Sequence, residues 1–367
     1  MTDKYRIDGH KLAYHPLRVA EFLKAGDEWS SVKSVYPIYV ELSPVGACNH
    51  RCRFCAYDYI GYQPQAMDGK KLISLFEEMG RLGVKSIHLA GEGEPLLHKG
   101  IVEAINAGYK AGLDFGVTTN ATLLTEQFID KALGDITWLK ASINAGTSAT
   151  YDKIHRGKQG DFERVIANLQ AAVEYRRDHA LKTTIGAQAI LLPENADEME
   201  ELARVCRDEI GLDYLVIKPY SHHLSSKTER YKDIDYADYL GLEEPLSQWA
   251  SDDFSVVFRA HTMRKYAQDI SARYSTCYST PVFWAHIMTN GELYSCPAYL
   301  SETRFSLGNV FEDGFKGVWE GDKRKLNFDF IRHQLDISEC RRNCRMDEVN
   351  RYLYELVEES VPHVNFI

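Results

Sequence analysis

The chain is expected to fold as an α/β protein on a parallel sheet, because strand-like and helical runs alternate about six times over residues 36–220. Two further observations shape that expectation. Polar residues gather at the C-terminal ends of the expected strands, where the loops of a β/α barrel carry chemistry. After residue 277 the texture changes to short strands and turns, with a hairpin signal at Asn290 and Gly291. Alternation alone leaves an open sheet and a partial barrel both possible.

The elements read off in order. "YPIYVEL" is a strand, "GKKLISLFEEMGRLG" a helix and "VKSIHLAG" a strand. "HKGIVEAINAGYKAG" and "LDFGVTTN" follow as helix and strand, then "TEQFIDKAL" and "ITWLKASIN". "DFERVIANLQAAVEYRRD" leads to "LKTTIGAQAILL", and "ADEMEELARVCRDEIG" to "LDYLVIKPY". Glycine or polar residues punctuate most joins. The expected layout is a lead-in over 1–35, a barrel core over 36–220, a connecting segment over 221–276 with one short strand "FSVVFR", and an auxiliary domain with a closing helix over 277–367.

Composition is that of an ordinary globular protein: 367 residues, 44% hydrophobic, 26% charged, net charge −10. No basic run suggests a nucleic-acid surface, and no apolar run suggests a membrane span. The stretch "MTDKYRIDGHKLAYHPLR" has charges where a secretory leader needs an apolar core. The expectation is a cytoplasmic, reduced protein whose eight cysteines are not disulfides. Nothing in the sequence speaks to oligomeric state.

Seven of the cysteines form two groups. Cys48, Cys52 and Cys55 crowd "SPVGACNHRCRFCAYDY", directly after the first strand. A structural zinc ion wants four protein ligands, so three thiols with gaps of three and two residues fit it poorly. Three thiolates suit three irons of a [4Fe–4S] cube and leave one iron open, although spacing alone does not decide the matter. Cys277, Cys296, Cys340 and Cys344 form the second group, for which zinc and iron–sulfur are both open on count. Cys206 stands apart in an amphipathic helix and reads as a buried small hydrophobe.

The arrangement Cys48-x-x-x-Cys52-x-x-Cys55, with Phe54 before the last cysteine and "GEGEP" ending the second strand, resembles the radical S-adenosylmethionine (radical SAM) superfamily. The resemblance implies a partial (β/α)6 TIM-like barrel with SAM chelating the open iron. It also implies reductive cleavage to a 5′-deoxyadenosyl radical that abstracts a substrate hydrogen, with electrons from a flavodoxin- or ferredoxin-like donor. Gly91 and Gly93 are expected to let the backbone approach SAM, Glu94 to orient the loop, and Glu92 departs from the commoner double glycine. Thr119, Asn120, Ser142, Asn144 and Gln188 are expected around the same mouth, and Arg156 as a partner for the SAM carboxylate.

The second group, with "NGELYSC", "LGN" at 307–309 and Trp319, resembles the SPASM extension or its shortened twitch form. A full SPASM module has more cysteines than the four here, so one auxiliary [4Fe–4S] cluster is expected. Lys218, Tyr220, His222 and His223 after the sixth strand are candidate substrate handlers: an anion binder, pocket walls and a base. Tyr57 and Tyr59 are expected to shape the pocket. The short stretch before Cys48 leaves little room for a peptide-binding domain, and four auxiliary cysteines depart from the sulfatase-maturing relatives. The expected reaction is oxidation of a small polar substrate (a sugar, aminocyclitol or nucleotide-linked compound), with the auxiliary cluster accepting an electron. Epimerisation or rearrangement, modification of a short peptide, and a non-catalytic electron carrier are the alternatives.

Overall fold

The computed structural model describes residues 3–267, 273–358 and 361–366. One sheet of ten strands runs in the order β10-β9-β8-β1-β2-β3-β4-β5-β6-β7. The strands are β1 (Tyr39–Leu42), β2 (Ser86–Leu89), β3 (Asp114–Thr119), β4 (Trp138–Ser142), β5 (Thr184–Leu191), β6 (Tyr214–Pro219), β7 (Ser255–Phe258), β8 (Trp284–Ile287), β9 (Glu292–Tyr294) and β10 (Ser306–Asn309). From β8 through β1 to β7 every pairing is parallel. Only β9 and β10 join antiparallel.

Helices cover one face of the sheet. Gly69–Arg81 starts where the Asp68 carboxylate accepts from the backbone N–H groups of Lys70 and Lys71, both at 3.0 Å. Its Leu72, Leu75, Phe76 and Met79 repeat at helical spacing and are all buried. They meet the alternate strand residues Val40, Leu42, Ile87, Leu89, Phe115 and Val117 in one core. Ile101–Lys110, Glu126–Ala132, Asp161–Asp178 and Met199–Arg204 continue the layer, the last running into a π-helical turn at Val205–Ile210.

The other strand face is polar: Tyr39, Glu41, His88, Thr118, Lys140, Gln188 and Lys218 alternate with the core residues. A flat sheet would put β1 and β6 about 24 Å apart. Yet one short segment touches both: the Asn343 carbonyl accepts from Ser221 Oγ just after β6 (3.4 Å), and Arg345, two residues on, pairs with Glu41 on β1. The sheet is therefore rolled around this face, which becomes the lumen of a partial barrel.

Two features extend the expected six-stranded unit. The segment after residue 220 supplies β7 as a further parallel strand beside β6. The region after residue 277 supplies β8, which pairs in parallel with β1. The lead-in is part of the packed structure too. Tyr5 and Ile7 pack on Tyr214, Val216 and Val257. Its helix Pro16–Ala25 buries Val19 and Phe22 against Tyr278, Phe283, Phe328 and Leu353 of the C-terminal region. No helix of the described residues is long and apolar enough to cross a membrane.

Candidate active site

Cys48, Cys52 and Cys55 lie on the loop leaving β1, and neighbouring elements hold that loop in place. The Asn49 side chain donates to Thr122 Oγ1 (2.8 Å) and accepts from Asn120 Nδ2 (2.8 Å). Asp58 accepts from Ser226 Oγ, Lys227 N and Thr228 N at 2.8–3.1 Å, which ties the loop to the segment after β6. Burial would raise its carboxyl, but these donors hold it below the usual range.

His155 reaches Cys52 Sγ through Nδ1 at 3.5 Å. Its Nε2 faces the backbone N–H of Asn144 (3.3 Å) and Asn144 Nδ2 (3.1 Å), so Nε2 must accept. The proton therefore sits on Nδ1 and points at the sulfur. Tyr151 stacks on the ring at 4.0 Å, and Phe54 meets it edge-on at 5.7 Å. Burial and then His50 push His155 well below its ordinary pKa, which keeps it neutral.

The strand-end residues largely hold one another. Glu94 is buried and accepts from Thr119 Oγ1 (2.6 Å), Asn120 N (2.8 Å) and Leu96 N (3.1 Å). Glu92 accepts from Thr289 N at 2.9 Å and so fastens the GEGEP loop to the end of β8. The two glycines also serve a close approach within the protein itself. Gly91, at φ 104°, has no room for a Cβ because Ser43 fills it, and Gly93 lies against the carbonyls of Val45 and Ala47. They let the GEGEP loop close on the cysteine loop itself. Ser142 accepts from Gln188 Nε2 (2.9 Å), and Gln188 Oε1 accepts from Lys218 Nζ (2.8 Å), which makes a polar rail across β4, β5 and β6. Arg156 is exposed, caps Ser148–His155 in a left-handed conformation (φ 54°), and touches none of this network.

The four residues after β6 divide. The Tyr220 ring is buried with an unpartnered hydroxyl. His222 keeps a free Nδ1, with Glu229 at 3.8 Å from Nε2. His223 is not a free base. Its Nδ1 accepts from Ser225 N (3.1 Å), its Nε2 donates to the Pro297 carbonyl (2.9 Å), and Tyr59 stacks on it at 4.6 Å. Both nitrogens are spent on joining the cysteine loop to the segment after Cys296, and burial lowers the ring to about 4.

Cys277, Cys296, Cys340 and Cys344 converge from three segments, close enough that each of the others raises Cys296. Tyr299, Phe305 and Ile337 wall them in, with Tyr57 and Ile60 arriving from the first cysteine loop. Ser279 and Thr280 hydroxyls lie at 3.6 and 3.2 Å from Cys277 Sγ.

Both thiol sets fit a cluster better than a single ion. Tetrahedral zinc would hold thiolates about 3.8 Å apart. Neither set closes to within 4.8 Å throughout; among the described residues only His50, Cys52 and His155 do. Those two histidines are already committed, to Asp161 at 3.1 Å and to Asn144. Burial pushes Cys48 and Cys340 up to about 12, so a bound metal centre is what would ionise them. No disulfide forms among the described cysteines.

Below the loops the lumen carries charge that is harder to see in sequence. Glu41 pairs with Arg345, and Tyr39 OH links His88 Nδ1 (2.7 Å) while His88 Nε2 meets Thr118 Oγ1 (2.8 Å). Lys140 lies beside the Trp138 ring, 5.0 Å from its centroid. Asn49, His155, Glu41, Lys140 and Arg345 were not among the residues expected from sequence. The available signal for two of them was a charged residue alternating with apolar ones inside "YVEL" and "WLKAS".

The Radical SAM superfamily model matches residues 42–206, and the SPASM iron–sulfur cluster-binding domain model matches residues 277–345. The chain carries a radical SAM domain followed by a SPASM domain. Its cofactors are a [4Fe–4S] cluster with SAM and auxiliary iron–sulfur in the SPASM domain. It is 25% identical over 310 residues to the tungsten-containing aldehyde ferredoxin oxidoreductase cofactor-modifying protein of Pyrococcus furiosus, covering 78% of this chain and 81% of that one. It is 24% identical to the sporulation killing factor maturation protein SkfB of Bacillus subtilis, covering 78% of this chain and 66% of that one. Streptococcus suis SuiB bound to precursor peptide SuiA shares the fold, with a TM-score of 0.62 at 20% identity over 78% of this chain and 65% of SuiB.

Proposed function

We propose that this radical SAM enzyme modifies a short peptide segment inserted into the mouth of the barrel. The observation that carries the reading is the lumen: polar, ringed by the strand-end network, and still open enough that the Arg345 side chain is 46% exposed beside buried Glu41. Two relatives support a peptide, one named as a maturation protein and one solved with its precursor peptide. When bound and reduced, the cluster with SAM supplies hydrogen abstraction. The protein's part is placement: Cys48, Cys52 and Cys55 hold the cluster, and Asn49, Asp58 and His155 fix their loop. Ser142 and Gln188 line the strand ends where SAM is expected.

The test is 5′-deoxyadenosine release by anaerobically reconstituted protein given the low-molecular-weight pool of a cell extract. Release should rise with the pool and fall back once the pool is digested with protease. A rise that survives digestion would replace the peptide with a small molecule. Absence of any SAM cleavage would remove the catalytic reading and leave an electron carrier.

Oxidation of a small polar substrate is the second reading. Tyr57 and Ile60 favour it by bridging the first cysteine loop to the auxiliary pocket, a short route for an electron leaving the substrate. His222, with its free Nδ1, would take the proton. Epimerisation lacks a hydrogen donor, since Cys206 is fully buried in the core between sheet and helices.

A further inference from the structure

We propose that the lumen holds a subsite for an oxyanion of the substrate, a carboxylate or a phosphate, gripped by Lys140 and Lys218. This deepens the function proposed above and rests on it. Buried cations in proteins are paired. Among the described residues Lys140 has no hydrogen-bond or ion-pair partner, only the face of the Trp138 ring 5.0 Å away, and Lys218 has only the neutral Gln188 amide at 2.8 Å. The carboxylates in reach are taken: Glu41 by Arg345, and Asp8 by Arg259 at 2.7 Å. Arg345 and Arg259 add to the same positive field at both lysines. Four cations thus face two carboxylates.

A second observation is independent of the lysines. His286, fully buried on β8 beside Glu41, has both ring nitrogens without a partner. An oxyanion would accept from such a group as well as from ammonium. A third is exposure. Lys140 and Lys218 are enclosed by protein yet each keeps partial solvent access, as groups lining an open cavity do. Burial, then the neighbouring cations, lower Lys140 to about 8 and hold Lys218 well below its ordinary value, a penalty that a bound anion relieves. Two point-charge donors on different strands suit a rounded oxyanion rather than the flat fork that arginine prefers.

Calorimetric titration of the reconstituted, SAM-saturated protein tests this, with pyrophosphate, glutarate and neutral erythritol as probes. Pyrophosphate or glutarate should saturate and erythritol should not. Lys140→Met and Lys218→Met should each weaken the anion about tenfold or more, the loss of a charge-assisted hydrogen bond. Preference for glutarate assigns a carboxylate, as on an acidic peptide side chain or chain end. Preference for pyrophosphate assigns a phosphorylated substrate. Thermal melting of the same samples guards against misfolding. Removing one of two repelling buried cations should hold or raise Tm, so weaker binding accompanied by a fall in Tm would make the lysines structural and overturn the proposal. Equal binding by wild type and variants, or no anion binding over SAM, would overturn it too. SAM cleavage by the wild type, assayed separately, tells failure of the subsite from failure of the enzyme reading.

Discussion

The two cysteine groups are built in opposite ways. The first takes three thiols from eight consecutive residues and steadies them with polar side chains, Asn49, Asp58 and His155, from elements all round the mouth. The second gathers four thiols from three distant segments and seals them behind Tyr299, Phe305 and Ile337. A polar scaffold suits a site that a ligand approaches, whereas an apolar wall suits one kept from water. The difference separates a site built to be approached from a site built to be insulated.

The comparison breaks most sharply on metal content. Wild-type protein should carry about eight irons, and the Cys48→Ala/Cys52→Ala/Cys55→Ala variant about four. Iron and sulfide analysis after anaerobic reconstitution checks this. About four irons in the wild type, all lost in the variant, would make the second group something other than a cluster.

Next in size is His155→Phe. It removes the side-chain N–H aimed at Cys52 Sγ and strands two buried donors of Asn144, a cost of about 1–3 kcal/mol each. The first cluster's midpoint potential should fall while the auxiliary signal stays put, as followed by EPR-monitored redox titration. Equal movement of both signals would mean a general loosening of the fold.

Acid sharpens the contrast through the joints between regions. His223 and His286 are neutral in the fold, held near 4 by burial against an ordinary 6.5. Below pH 6.5 the unfolded chain takes up protons that these rings refuse. Their contribution is whole above 6.5 and is lost as pH drops towards 4, by up to about 1.4 kcal/mol per pH unit for each. Melting temperature against pH should slope upward across that window, and His286→Phe should flatten it.

The smallest effect belongs to Thr289→Val. It deletes a hydroxyl that donates to the Ser43 carbonyl at 3.1 Å, at a cost of about 1 kcal/mol. Chemical denaturation should register it without loss of iron from either site.

Much of this was legible in the sequence. Strand and helix order followed from periodicity and the first thiol set from its close spacing, because these are local signals, whereas the second set, spread over 277–344, was grouped only through the SPASM-like motifs between its members. The lumen was not, because Glu41, Lys140 and Arg345 are ordinary charged residues until a rolled sheet and the segment after Cys344 bring them together. The role of His223 was misread for a similar reason. Adjacent histidines look like surface chemistry until Pro297, seventy-four residues later, claims one of them.

The parallel pairing of β8 with β1 has a practical consequence for anyone dissecting the chain. A fragment ending before residue 277 would not be a barrel lacking an accessory. It would present the β1 edge, with the apolar Val40 and Leu42 in a strand of unsatisfied backbone groups, as a template for a second molecule. Truncation is therefore a recipe for self-association, and the two halves are best regarded as one unit of expression.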